Sequence, residues 1–413
     1  MIKVDLITGF LGSGKTTFIK KYVRYLLDKG EKIGIIENDY GAINVDMLLL
    51  NKEFGDECGM EMVVAGDPDC HRRRFKTKLI AMGMDGINDG RYDRVIVEPS
   101  GIYDVDEFFD ILYEEPLDRF YEIGNVIAIV DAGLSDELSK ESDYLLVSQI
   151  AEAGMVVFSK VEDGEGSSPA SDVGNVIAHM NRALERFKCG RRYTLYRDED
   201  RDQSESETEP GSGTGDSAGD KINELINHNV QCDKYIAKDI MVKPWDNLTA
   251  DDFMRIENCG YVPEDHIKMH VAEDNGYRSL FYFHVNMSKD ELKEMSERLF
   301  ADESYGNIYR IKGFVPAKPG DINNLQTEEL TGVAVDSASQ PETSLSDAAF
   351  IQINATREQV EITHTDNGQE VIIVIGEHLD NARIEEYIRS CSHEKDITAG
   401  QSDHSHAHAK PLT

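Results

Sequence analysis

Two rhythms of apolar residues run through the amino-terminal part of the chain. Short apolar runs at Ile2–Ile7, Lys32–Glu37, Arg94–Glu98, Asn125–Asp131 and Met155–Ser159 are separated by longer stretches. In these the apolar positions recur every three or four residues, as they do from Phe18 onward. The first rhythm belongs to strands buried on both faces and the second to amphipathic helices. Their alternation predicts a doubly wound, mainly parallel sheet covered by helices on both faces, an α/β fold. From Arg197 to Asp220 the chain becomes rich in Asp, Glu, Ser and Gly with no apolar period. Such a stretch cannot bury enough apolar surface to order itself, and it reads as an acidic flexible linker extending to residue 232.

A second pattern follows. Leu280–Val285, Gly306–Val315, Phe350–Ile353, Gln359–Ile362 and Glu370–Gly376 are strand-like, whereas Lys289–Leu299 and Asp380–Arg389 have helical spacing. A polar stretch from about Lys318 to Ala348 reads as a mobile loop. The expected organisation is an α/β domain over 1–196, the linker over 197–232, a smaller α+β domain over 233–390 and a His-containing tail over 391–413.

The turn after the first strand carries the most specific chemistry. Gly9-Phe-Leu-Gly12-Ser13-Gly14-Lys15-Thr16-Thr17 follows a predicted strand and opens a predicted helix. That is the context in which Gly-x-x-x-x-Gly-Lys-Thr forms a P-loop. Glycines let successive backbone N–H groups face phosphate oxygens, and the helix adds the positive end of its dipole. Lys15 is expected to reach the β- and γ-phosphates and Thr16 to offer its hydroxyl to Mg²⁺. Two carboxylates sit at the ends of later strands. Glu98 is expected as the acidic member of the Mg²⁺ site. Asp39, in the turn-like Asn38-Asp39-Tyr40-Gly41, would approach the metal or the attacking water, unless it serves only the turn.

Composition narrows the partners. The formal charge is −35, from 43 Lys+Arg against 78 Asp+Glu, so the summed field repels nucleic acid and anionic membranes and favours cations. Six scattered cysteines do not form a disulfide scaffold. The chain opens on a strand rather than a signal segment, and no run is long enough to cross a bilayer, so a cytoplasmic location is expected.

Several segments in order resemble the CobW-type metallochaperone GTPase family, relatives of the GTPases that insert nickel during urease and hydrogenase maturation. They are the P-loop, Asn38-Asp-Tyr-Gly41, Glu98-Pro-Ser-Gly101, Val130-Asp-Ala132, Gln149-Ile-Ala151 before Ser159-Lys160, Arg310-Ile-Lys-Gly-Phe314 and Ile375-Gly-Glu-His-Leu-Asp380. The resemblance implies GTP hydrolysis with Mg²⁺ coupled to handling Zn²⁺ or another transition metal for a client metalloprotein. It also implies Ser159, Lys160 and Glu162 as the base-recognition loop.

Two departures stand out. Where the family carries Gly-Cys-x-Cys-Cys, this chain has Gly66-Asp67-Pro68-Asp69-Cys70. Asp67, Asp69, Cys70 and His71 then form a harder donor set, unless the segment is a turn beside a small buried thiol. Where the family carries Asn-Lys-x-Asp, this chain has Ser159-Lys160-Val161-Glu162. Glu162 keeps the acceptor chemistry for guanine, and the lost Asn removes a brace on the phosphate loop. His404, His406 and His408 either collect metal or form a neutral tail. His284, His364 and His378 read as structural. Arg72, Arg73 or Arg74 could supply a catalytic guanidinium within the chain. Rival readings are a small-molecule kinase, a nucleotide-gated binding module without turnover, and metal storage uncoupled from nucleotide.

Overall fold

The computed structural model describes residues 1–39, 45–64, 68–101, 103, 105–161, 169–195, 239–269, 277–317, 350–357, 359–366, 368–393 and 397–403. They group into two units. Residues 1–39, 50–64 and the described part of 69–271 form the first; residues 45–49, 68 and the described part of 277–403 form the second.

The first unit is built on seven strands: β1 Ile2–Gly9, β2 Ile33–Asp39, β3 Gly59–Val64, β4 Arg94–Pro99, β5 Tyr121–Asp131, β6 Met155–Ser159 and β7 Ile240–Met241. They lie in the order β3-β2-β4-β1-β5-β6-β7, and every pairing is parallel. Its helices are α1 Lys15–Asp28, α2 Val45–Phe54 from residue 50 onward, α3 Pro68–Asp89 from residue 69 onward, α4 Val105–Leu112, α5 Lys140–Ala151, α6 Pro169–Arg186 and α7 Ala250–Glu257. The apolar stripe of α1, Phe18, Ile19, Tyr22, Val23 and Leu26, packs on Ile35, Ile96, Ile127 and Ile129. Each such side chain contributes about 1.5–3 kcal/mol on full burial. Parallel pairing brings the carboxyl ends of β1, β2, β4, β5 and β6 to one edge, where ligands of open α/β sheets bind.

Below that edge a buried polar cluster ties α1, β1, β4 and β5 together. Asp5 accepts from Tyr22 Oη at 2.8 Å, from Arg94 Nη1 at 2.7 Å, and from the backbone N and Nδ2 of Asn125 at 2.9 and 3.0 Å. Asp5 and Arg94 are both buried. Burial in this cluster, together with the Asp5 charge, pushes the Tyr22 hydroxyl well above the usual tyrosine range.

The second unit is a sheet of β8 Tyr277–Phe283, β9 Asn307–Pro316, β10 Phe350–Ala355, β11 Val360–Thr365, β12 Val371–Glu377 and β13 Thr398–Asp403. Its order is β11-β10-β9-β12-β8-β13, with antiparallel neighbours throughout. Helices α8 Lys289–Ala301 and α9 Asn381–Cys391 share one core with it, in which Leu292, Met295, Ile384 and Ile388 meet Leu280, Ile311, Ile351 and Val374. Ser288 and Glu291 form a capping box on α8, and Asp380 caps α9.

Several expectations change. Asn38 and Asp39 belong to β2 rather than to a turn, because β2 stays paired with β3 through Asp39. The ligand-rich segment from Met60 contributes β3 and then α3, which starts at Pro68, a residue whose fixed φ suits the first helical position. Residues 240–257 return to the first unit through β7 and α7, past the boundary expected at 233. Residues 398–403, expected in the tail, pair with β8. His284 and His378 are exposed, with left-handed φ of 59° and 52°, just past β8 and β12. Among the described residues no helix is long and apolar enough to cross a membrane.

Candidate functional site

The phosphate loop forms as its glycines require. Gly14, at φ +92°, sits at the N-cap of α1, a left-handed conformation that side-chain-bearing residues rarely adopt. Lys15 folds back so that Nζ donates to the Gly9 carbonyl at 3.0 Å and the Phe10 carbonyl at 3.5 Å. Lys15 and Thr16 are both buried at the start of α1. The loop after β4 closes on this turn: a Cβ on Gly101 would lie 2.7 Å from the Leu11 nitrogen, so only glycine allows the approach. Gln149 on α5 fixes the Gly101 carbonyl at 2.9 Å.

Thr16 Oγ1 donates to Glu98 Oε1 at 2.9 Å, joining the phosphate loop to β4. Glu37 is the register partner of Glu98 on the adjacent β2. In-register residues of paired strands emerge on the same face, so two buried carboxylates lie side by side next to Thr16. Sequence reasoning selected Glu98 and Asp39 and missed Glu37. The signal lay in the alternation: Glu37 follows Ile35 by two positions on the face that packs against α1, whereas Asp39 lies at the strand's end. For Asp39 only the backbone is described.

The donors fit the groups that the loop implies. A threonine hydroxyl and two carboxylates are hard oxygen ligands of the kind Mg²⁺ takes, and neighbouring carboxylates repel each other until a cation lies near them. Thr8 Oγ1, Ser13 Oγ and both polar atoms of the Asn38 amide are buried with no hydrogen-bond partner among the described residues. Such atoms cost about 1–3 kcal/mol each when left unpaired, so this edge is suited to a polar ligand.

Beyond β6, Ser159 Oγ donates to the Val130 carbonyl at 3.4 Å, and Lys160, at φ +54°, pairs through Nζ with Asp131 Oδ2 at 2.5 Å. Asp131 also accepts from the Gly133 amide at 2.9 Å. The start of the loop after β6 is thus pinned to the end of β5; Glu162 lies outside the described residues. Arg72 is engaged elsewhere, with Nη2 donating to Glu114 Oε1 at 2.6 Å and Glu107 at 3.9 Å from Nη1. Arg73 and Arg74 are exposed.

The expected transition-metal ligands are not brought together by anything described. For Asp69, Cys70 and His71 only the backbone, within the first turn of α3, is described, and Asp67, His404, His406 and His408 lie outside the described residues. Among the described residues no group of three His, Cys, Asp or Glu is placed to hold a metal ion. Cys58, Cys189, Cys259 and Cys391 are not in disulfides.

A glycine-rich turn between a parallel strand and a helix, with a lysine and a threonine at the helix start and carboxylates on the neighbouring strands, defines a P-loop nucleotide-binding domain. Residues 3–188 match the nucleotide-binding domain of CobW/HypB/UreG, the family to which this part of the chain is similar. The zinc chaperone YjiA of Escherichia coli strain K12 is 30% identical over 167 residues, covering 39% of this chain and 50% of that protein. The zinc-regulated GTPase metalloprotein activator 1 of Dictyostelium discoideum is 26% identical over 213 residues, covering 44% of each. The chain spans about half the length of the curated relatives it matches. Among solved structures, Zn(II)-bound YjiA GTPase from E. coli aligns over 94% of this chain and 98% of that one, at 16% identity and a TM-score of 0.28.

Proposed function

We propose that the protein is a Mg²⁺-dependent GTPase that couples hydrolysis to the binding or delivery of a transition metal, with Zn²⁺ as the first cargo to test and a client metalloprotein as recipient. The observation that carries the nucleotide reading is the Thr16–Glu98 hydrogen bond beneath the glycine turn, with Glu37 in register beside it. Thr16, Glu98 and Glu37 would hold the Mg²⁺, which supplies charge neutralisation at the phosphate oxygens. Lys15 leaves the carbonyls of Gly9 and Phe10 for the β- and γ-phosphates, and the amides of the turn, Gly9, Gly12, Ser13, Gly14 and Thr17 included, bind the same oxygens. Asp39 orients the attacking water. Ser159, Lys160 and Glu162 recognise guanine. With Arg72 engaged by glutamates, intrinsic turnover is slow and rises when a client or partner supplies a guanidinium.

The metal half rests on Asp67, Asp69, Cys70 and His71 at the start of α3 and on the tail histidines. It is also supported by the names of the relatives, a zinc chaperone and a zinc-regulated activator. The test is phosphate release from GTP and ATP by metal-stripped protein in Mg²⁺, with Zn²⁺, Co²⁺, Mn²⁺ or Fe²⁺ added in turn, repeated with Cys70→Ala. Stimulation of GTP turnover by one metal, lost in the variant, is the expected result. A phosphorylated small-molecule product, or no turnover with any nucleotide, would sink the reading.

A further inference from the structure

Trp245 is the single tryptophan of the chain and lies in the short turn Trp245–Asn247 between β7 and α7. Its indole reaches three parts of the nucleotide edge at once. The ring N–H donates to the Phe158 carbonyl at 2.9 Å, one residue before Ser159 and two before Lys160. Its six-membered ring abuts the phosphate loop: a Cβ built on Gly14 would lie 3.1 Å from Cη2 and 3.4 Å from Cζ3 of Trp245, and 3.8 Å from Ser159 Cβ. The ring also meets Phe18 of α1 edge-on, with centroids 5.7 Å apart. Next to it, Asp246 pairs with Lys21 of α1 at 2.8 Å.

We propose that Trp245 is a positioning residue for the nucleotide, setting the separation between the phosphate loop and the base loop; this rests on the nucleotide-binding reading above. A nucleoside triphosphate has a limited reach from base to phosphates, and it is held at both ends only when the two loops stand at a matching distance. Displacements well under an ångström are enough to weaken such a site. In this chain Ser159 stands where an asparagine would brace the phosphate loop, and its hydroxyl is directed to the Val130 carbonyl instead. The indole bridges the same two elements, with its polar N–H on the β6 side and its apolar edge on the glycine side. Phenylalanine at this position keeps the ring against Phe18 but removes the bond to Phe158; leucine removes both.

The proposal separates ligands that use one loop from ligands that use two. Inorganic tripolyphosphate engages the phosphate loop alone, whereas GTP engages both. Calorimetric titration of full-length protein should show Trp245→Phe weakening GTP about tenfold while tripolyphosphate changes less than about twofold, with Trp245→Leu weaker again for GTP. In the unsubstituted protein, emission from the lone indole should change as GTP saturates the site. Equal weakening of both ligands would make the indole a general structural prop and overturn the proposal. So would unchanged GTP affinity in Trp245→Phe, or constant emission through a saturating titration, and these last two stand even if Trp245→Leu fails to fold. Absence of GTP binding by the unsubstituted protein would instead sink the nucleotide reading on which the proposal stands.

Discussion

Two polar regions of the same sheet are built in opposite ways. Around Asp5, in the middle of β1, one carboxylate collects four donors from three other residues, and Arg94 bonds Glu31 as well, Nε to Oε2 at 2.9 Å. At the carboxyl edge, Thr8, Ser13 and Asn38 bury polar atoms that meet no hydrogen-bond partner among the described residues. A buried polar group costs stability unless it is paired, so the first region rigidifies the fold, and the second carries a cost that a ligand can remove. The difference supports the proposed site independently of any motif: among the described residues this sheet is satisfied in its middle and unsatisfied at its carboxyl edge.

That contrast can be broken in stages. The largest effect belongs to Arg94→Met, which strands the Asp5 carboxylate: a loss of about 3–5 kcal/mol in urea unfolding is expected, and GTP should not restore it. A loss below about 1 kcal/mol would mean that Asp5 is not held as described. Lys15→Ala should leave the unfolding midpoint within experimental error while lowering single-turnover phosphate release by about 10²–10³-fold, the size seen when a preorganised charge stabiliser is removed. If the two substitutions exchanged these effects, the division into a structural and a working region would fail. Glu37→Gln should raise the Mg²⁺ concentration for half-maximal turnover by about tenfold, since it removes one anionic oxygen donor and keeps the shape. No shift in the Mg²⁺ titration would return the role to Glu98 alone.

The smallest effect concerns Cys58, next to the carboxyl end of α2. Burial pushes its thiol up from 9.0 to about 11, with the Glu57 charge adding to the shift. A pKa raised on folding stabilises the protein fully below the unfolded value and ceases to do so as pH rises through the folded one. The Cys58 contribution should therefore be constant up to about pH 9 and decline toward pH 11. At pH 8 a thiol reagent should reach Cys58 only after unfolding; labelling of the folded protein at the rate of a free thiol would contradict its burial.

How much of this was legible beforehand differs from element to element. The phosphate loop was readable because its residues are contiguous and its strand and helix follow directly. Glu98 was readable as a carboxylate closing an apolar run. Glu37 was not, because its importance comes from register with Glu98, a pairing between segments that lie far apart in the chain. For β7 only two residues pair, too few for any periodicity, so its membership of the first sheet became visible only in the strand order. β13 was hidden by its setting, a six-residue stretch, Thr398–Asp403, beside a histidine-bearing end. The start of α3 was obscured by its chemistry, since Asp69, Cys70 and His71 drew attention as ligands while Pro68 signalled a helix. Trp245 carried no motif at all.

The placement of β7 and Trp245 also has a consequence for the order in which the protein is made. The phosphate loop leaves the ribosome well before the strand that completes the sheet, which begins at Ile240, and the indole that abuts Gly14. A nascent chain ending at residue 196 already contains the whole nucleotide motif but lacks its last wall. During synthesis, at about 5–20 residues per second, the interval between these points lasts several seconds. Nucleotide capture by the growing chain should therefore begin weakly and tighten abruptly once β7 docks, which makes the arrival of a two-residue strand the step that commits the domain to its ligand.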